Sequence, residues 1–263
     1  MHSFGPRFGP AVAAIDAGDV AALERILDAD PDLVRDRAQW DEHAYFRDPY
    51  LLWFVAENPV RNDRLPPNIA DVARAIIAKG ASREQLDYAL ELVCSGRVPR
   101  EHGVQNALID VLCDAGADPD AAMTTALAHG ELDAAQRLLE RGARMSLLAA
   151  ICFDRAGDAE RLVSSATTDE LQLALVAAAL YGNARMLSML IERGADINAC
   201  APAGFHAHAT PLHHAVDSGS LDAVKVLAEA GANRDTRDRV YHATPLEWAE
   251  YLEKPQIASY LRA

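Results

Sequence analysis

The residues in this chain best suited to chemistry are imidazoles. His206, His208, His213, His214 and His242 crowd its last quarter, with Cys200 close by in sequence. Imidazole and thiolate both bind zinc, and His206-x-His208 could supply two ligands, with His242 a third. A Cys200–His206 pair could also make an activated nucleophile. Repetition is a competing explanation. His208 and His242 each stand immediately before Ala-Thr-Pro-Leu, so a recurring structural unit places both. The chain contains no C-x-x-C or H-E-x-x-H pattern, no nucleophile elbow and no phosphate-cradling glycine loop. The expectation is therefore no metal, no cofactor and no catalytic residue. A metal or small-molecule pocket built from the His-rich C-terminal segment, with a catalytic role, is kept as the alternative.

The elements that must hold these histidines are legible in the stretch from Ala209 to Asn233. Thr210 is a helix N-cap and Pro211 occupies the first helical position, where a missing N–H costs nothing. Leu212, Ala215 and Val216 form an apolar stripe at helical spacing. Gly219 breaks that helix, and a second follows from about Ser220 to Ala230, with Leu221, Val224 and Leu227 on one face. Gly231 closes it. Such a hairpin cannot bury its apolar face alone and implies neighbours. The interval from Gly219 to Gly231 recurs from Gly130 to Gly142 and from Gly182 to Gly194. The same apolar positions recur inside it, and Gly-Ala follows each time. Gly80-Ala81 and Gly116-Ala117 close two further apolar runs.

Thr210, Pro211, Leu212, His213 and Ala215 match the T-P-L-H-x-A signature of ankyrin repeats, so the chain resembles that family. The resemblance implies an all-α solenoid of about eight helix-turn-helix units forming one domain over 1–263. The expected repeats are 9–36, 37–81, 82–117, 118–143, 144–167, 168–195, 196–232 and 233–263. In the first, Pro10 takes the place of Pro211 and Gly18 that of Gly219. The second carries an apolar helix from Tyr50 to Ala56 and a proline-rich insertion at 58–68. The third carries another insertion at 96–103. Whether either insertion contributes to a binding site is open from sequence. The middle repeats are about seven residues shorter than the roughly 33 of a full unit, so their projecting finger loops should be reduced. In the fifth, Gly157 stands for the helix breaker. In the eighth, Thr244-x-x-Glu247 is a capping box. Leu171 to Leu180, apolar throughout, reads as a fully covered helix.

The resemblance also implies a concave surface of fingers and first helices that binds other macromolecules, usually proteins. Expected contact residues lie on the fingers: Trp40, Tyr45, Phe46, Phe205, His206, Arg237, Tyr241 and His242. Each aromatic could instead fold back on its own repeat. Trp53 and Trp248 lie within helices and are expected in the core. Carboxylates of the second helices, such as Glu131, Asp133 and Glu140, read as a solvated face. A net charge of −14 and a pI of about 5.0 argue against sequence-independent nucleic-acid binding and against docking on an anionic membrane. They also favour a soluble monomer. No run approaches a membrane span, no signal pattern opens the chain, and the four cysteines lack paired spacing, which fits reduced thiols in the cytoplasm. The expected function is a non-enzymatic protein–protein interaction module with another protein as partner.

Overall fold

A computed structural model describes residues 4–39 and 47–263. Trp40, Tyr45 and Phe46 lie outside the described residues. Helices account for the regular structure, and no strand forms among the described residues. The chain divides into two compact units, Met1–Arg144 and Met145–Ala263.

In the first unit α1 (Gly5–Ala17) pairs with α2 (Val20–Ala29). A 3-10 helix, Leu51–Ala56, packs on α3 (Ile69–Ile77). Next come α4 (Arg83–Cys94), the short α5 (Arg97–Glu101), α6 (Gln105–Asp114), α7 (Pro119–Ala128) and α8 (Leu132–Glu140). Two rows result: Leu51–Ala56, α4 and α7 pack side by side, and so do α2, α3, α6 and α8. The second unit repeats the plan. Its first row is α9 (Leu147–Cys152), α11 (Thr168–Leu180), α13 (Pro211–Ser218) and α15 (Pro245–Tyr251). Its second row contains α12 (Ala184–Glu192), α14 (Leu221–Glu229) and α16 (Pro255–Arg262), while α10 (Ala156–Leu162) pairs with α9. Each helix shields the apolar stripe of the next, which no isolated hairpin could do. The apolar helix expected near Leu171–Leu180 is α11, where Ala174 through Ala179 are all buried.

The turn inside each hairpin is a repeated backbone device. At Gly182 φ is 66°, and the N–H of Asn183 reaches back to the carbonyl of Ala178 at 2.8 Å. A Cβ at Gly182 would lie 2.8 Å from that of Ser220, so both backbone and space select glycine. Gly130 and Gly219 adopt the same left-handed conformation, with φ of 70° and 76°. The fifth hairpin corrects one expectation. Gly157 lies inside α10, and Asp154 makes the turn at φ 52°, with the Arg155 N–H bonding to the Ala150 carbonyl at 2.8 Å. Aspartate tolerates this region, and its Oδ1 also accepts from Asn183 Nδ2 at 2.8 Å.

Three other expectations shift. Pro10 is inside α1, not at its start; Pro6 opens the helix, which begins at Gly5. The 50–56 helix is 3-10, with Leu51 through Ala56 all buried. The insertion at 96–103 folds into α5, whereas residues 57–68 form no helix. The capping box at Thr244 is present: the Glu247 N–H donates to Thr244 Oγ1 at 3.2 Å, and the Thr244 N–H to Glu247 Oε2 at 2.6 Å.

Candidate functional site

The loop at 233–243, which joins α14 to α15, is built around one carboxylate. Asp238 is 2% exposed. It accepts the N–H groups of Val240 at 2.8 Å, Tyr241 at 2.6 Å and Ala243 at 3.0 Å, and the indole N–H of Trp248 at 3.0 Å. These donors favour the ionised form and hold Asp238 well below the usual carboxylate range, against the cost of burial. The turn and the first helix of the last hairpin are thereby tied together. The loop is also stitched to the preceding hairpin, because the Arg239 N–H donates to the His208 carbonyl at 2.8 Å.

The histidines form part of this scaffold. His213 is fully buried on α13. Its Nδ1 lies 2.8 Å from Thr210 Oγ1 and accepts the Thr210 N–H at 3.4 Å, while Nε2 lies 3.0 Å from the Ala243 carbonyl. Since Nδ1 accepts, Nε2 carries the proton and donates across the repeat boundary. Burial lowers its pKa, so the ring is neutral. His214 is buried too, with Nε2 3.3 Å from the His206 carbonyl, and burial lowers its pKa to about 3. His208 lies near-parallel to Trp248, with ring centroids 6.1 Å apart, and its pKa is likewise lowered by burial. Among the described residues no group of three His, Cys, Asp or Glu side chains is gathered where it could hold a metal ion. Burial also raises the pKa of the Cys94 and Cys152 thiols, leaving both protonated at neutral pH.

The expected contact residues divide sharply. Tyr241 is 71% exposed, its ring centroid 6.2 Å from that of Trp248. Arg237 and His242 are exposed; Arg237 Nη1 donates to the His242 carbonyl at 2.5 Å and to Glu247 Oε2 at 3.0 Å. His206 is half-buried at φ 46°, its ring edge-on to Phe205 with centroids 5.3 Å apart. Phe205 corrects the expectation of an exposed anchor. At 1% exposure it is core, because the residues before Thr210 fold back over the hairpin and the ring gains more from burial than from water. Trp248, expected in the core, is only half-buried.

Trp248 instead lines an open groove of about 660 Å³ with His208, Asp217, Tyr241, Glu247 and Tyr251. Tyr251 is 86% exposed, and Val240, next to Tyr241 in sequence, is 58% exposed. Singly scattered exposed apolar residues are ordinary, whereas Tyr241 on the loop and Tyr251 on α15 line one groove. Sequence reasoning missed Tyr251, Asp217 and Asp238. Tyr251 reads as one more helical residue, and the Asp238–Trp248 bond joins positions with no regular spacing. This groove is open rather than a deep closed pocket.

A family model described as ankyrin repeats (3 copies) matches residues 100–238 and 175–263. The chain is also similar to the cyclin-dependent kinase inhibitor 2A of Homo sapiens, at 38% identity over 84 residues, which is 32% of this chain and 51% of that protein. It is similar as well to the cyclin-dependent kinase 4 inhibitor B of Bos taurus, at 30% identity over 148 residues, or 56% of this chain and 95% of the relative. The inhibitor B of Mus musculus matches to the same extent. The chain thus spans about half the length of the human relative and nearly all of the other two. With the T-P-L-H signature on α13, the recurrent left-handed turns and the two-row stacking, the family-model match establishes that this chain belongs to the ankyrin-repeat family.

Proposed function

We propose that this protein is a non-enzymatic interaction module that binds another protein through the 233–243 loop and the exposed side of α13 and α15. The observation that carries this reading is the pairing of exposed aromatics, Tyr241 and Tyr251, with a loop fixed by a buried carboxylate. Large aromatics dominate binding hot spots, and a loop already ordered before contact loses little entropy on binding. Arg237 and His242 form the polar rim. The relatives are named as inhibitors of cyclin-dependent kinases, so a protein kinase is the first partner class to try. Among the described residues no helix is long and apolar enough to cross a membrane, so the reading requires no bilayer.

The test is affinity capture followed by mass spectrometry, comparing the wild type with a Tyr241→Ala, Tyr251→Ala double variant. Both side chains are largely exposed, so the melting temperature should not move. The expected result is a specific protein captured by the wild type and depleted about tenfold or more with the variant, as removal of two hot-spot aromatics implies. Equal capture by both proteins contradicts the reading.

A further inference from the structure

We propose that the groove between the 233–243 loop and α15 receives an arginine side chain of the partner, its guanidinium placed against Tyr241, Trp248 and Tyr251 and facing the carboxylate of Asp217. This rests on the reading of that surface as a partner site and names the chemistry that it recognises.

The molecule itself shows what such a constellation holds. In the first unit the Arg37 guanidinium lies 4.2 Å from the ring centroid of Tyr50 and 5.3 Å from that of Trp53, and its Nη2 is 3.0 Å from Glu84 Oε1. Arg61 repeats the arrangement, 4.7 Å from the Phe54 centroid, with Nη2 2.9 Å from Glu57 and 2.8 Å from Asp16. Aromatic faces next to a carboxylate are thus filled by arginine twice within one chain. The groove of the second unit assembles the same parts. The Tyr241 and Trp248 rings meet at 70° with centroids 6.2 Å apart, and Tyr251 and Asp217 complete the lining.

Among the described residues no guanidinium of this chain lies over those three rings, and no donor meets the exposed Asp217 carboxylate. The loop's own arginines are already engaged, Arg237 with a carboxylate of the groove lining. Arg234 sits 5.4 Å from the Tyr260 ring, Arg237 bonds to Glu247, and Arg239 Nη1 donates to the Ala207 carbonyl at 3.3 Å. Glu247 is taken up by Arg237 and Thr244, which leaves Asp217 as the counter-ion for an incoming cation. The chain's net charge of −14 attracts cations at long range. The planar guanidinium fits better than an ammonium, because it stacks on rings while its edge donates to a carboxylate.

The experiment titrates the isotope-labelled full chain with N-acetyl-arginine methylamide, following the backbone amides of 238–252 and the Trp248 indole N–H by nuclear magnetic resonance. The lysine and citrulline analogues form the control arms. The expected result is saturable arginine binding at millimolar concentration, at least about tenfold weaker binding of the uncharged citrulline, and intermediate binding of lysine. Tyr251→Ala and Asp217→Asn, both at exposed positions, should each weaken arginine at least about threefold without changing the melting temperature. Citrulline binding as well as arginine, shifts outside the groove only, or no effect of either variant overturns the proposal. If arginine fails while capture of a protein still depends on Tyr241 and Tyr251, the arginine assignment falls and the partner reading stands.

Discussion

Two loops in this protein are each wound around a buried carboxylate, and the difference between them separates a loop that seals its aromatic neighbours from one that exposes them. Glu57 is 1% exposed and accepts the N–H groups of Arg61 at 2.7 Å, Asn62, and Asp63 at 3.1 Å. Asp238 does the same for Val240, Tyr241 and Ala243. The fourth donor differs. For Glu57 it is the Arg61 guanidinium, itself 2% exposed, which also bonds to Asp16 and lies on Phe54. For Asp238 it is the indole N–H of Trp248. The first arrangement seals a charge pair inside the protein and leaves only Val60 of that loop exposed among its large apolar residues. The second uses a neutral donor that is also a large aromatic, and fixes it beside exposed Tyr241 at the groove. The same turn chemistry closes one loop and presents a surface from the other.

This contrast breaks most readily at the sealed pair. Arg61→Ala should cost about 3–5 kcal/mol, because it leaves Glu57 buried without its cation. Urea denaturation measures it, and a loss under about 1 kcal/mol would mean that the pair holds nothing. Phe205→Ala should cost about as much through the cavity it leaves, whereas Tyr241→Ala should change stability by under about 0.5 kcal/mol. Measured together, those two variants sort core from surface among residues that look alike in sequence.

Asp238→Ala should cost about 1–3 kcal/mol by leaving three half-buried backbone N–H groups and the Trp248 indole N–H without their acceptor. It should also weaken partner capture, since Trp248 and Tyr241 lose their common anchor. Arg61→Ala, by contrast, should leave capture unchanged in protein that remains folded.

Acid acts on the same scaffold through its buried histidines. His214 has a folded pKa of about 3, below its unfolded value, so the unfolded chain binds the extra proton. Its contribution is complete above the unfolded pKa and is lost as pH falls, about 2 kcal/mol between pH 7 and pH 5. His213 and His208 act in the same direction, and Asp238, with its lowered pKa, adds a loss at still lower pH. Urea midpoints at pH 7 and pH 5 should differ less in His214→Leu than in the wild type.

The helical hairpins were legible because their signals are local. Thr210-Pro211-Leu212-His213 sets a helix start within four residues, and Gly182 or Gly219 marks a turn that few other residues enter cheaply. Where another residue enters it, as Asp154 does, the sequence misplaces the turn onto Gly157. The proposed surface was only half legible. Tyr241, Arg237 and His242 are visible as loop residues of suitable type. Tyr251 and Asp217 join them only because α13 and α15 stack, and Phe205 is removed because its loop folds inward. Both outcomes depend on packing between helices, which residue spacing within one repeat does not encode. The Asp238 hub is likewise a property of loop conformation, set by three backbone N–H groups.

The most direct measurement is hydrogen–deuterium exchange on the captured complex against the free chain. The account predicts slowed exchange in 238–252 and on the exposed turn of α13 near Asp217. Slowed exchange confined to the second-row helices Leu132–Glu140 and Ala184–Glu192, with 238–252 unchanged, would contradict it.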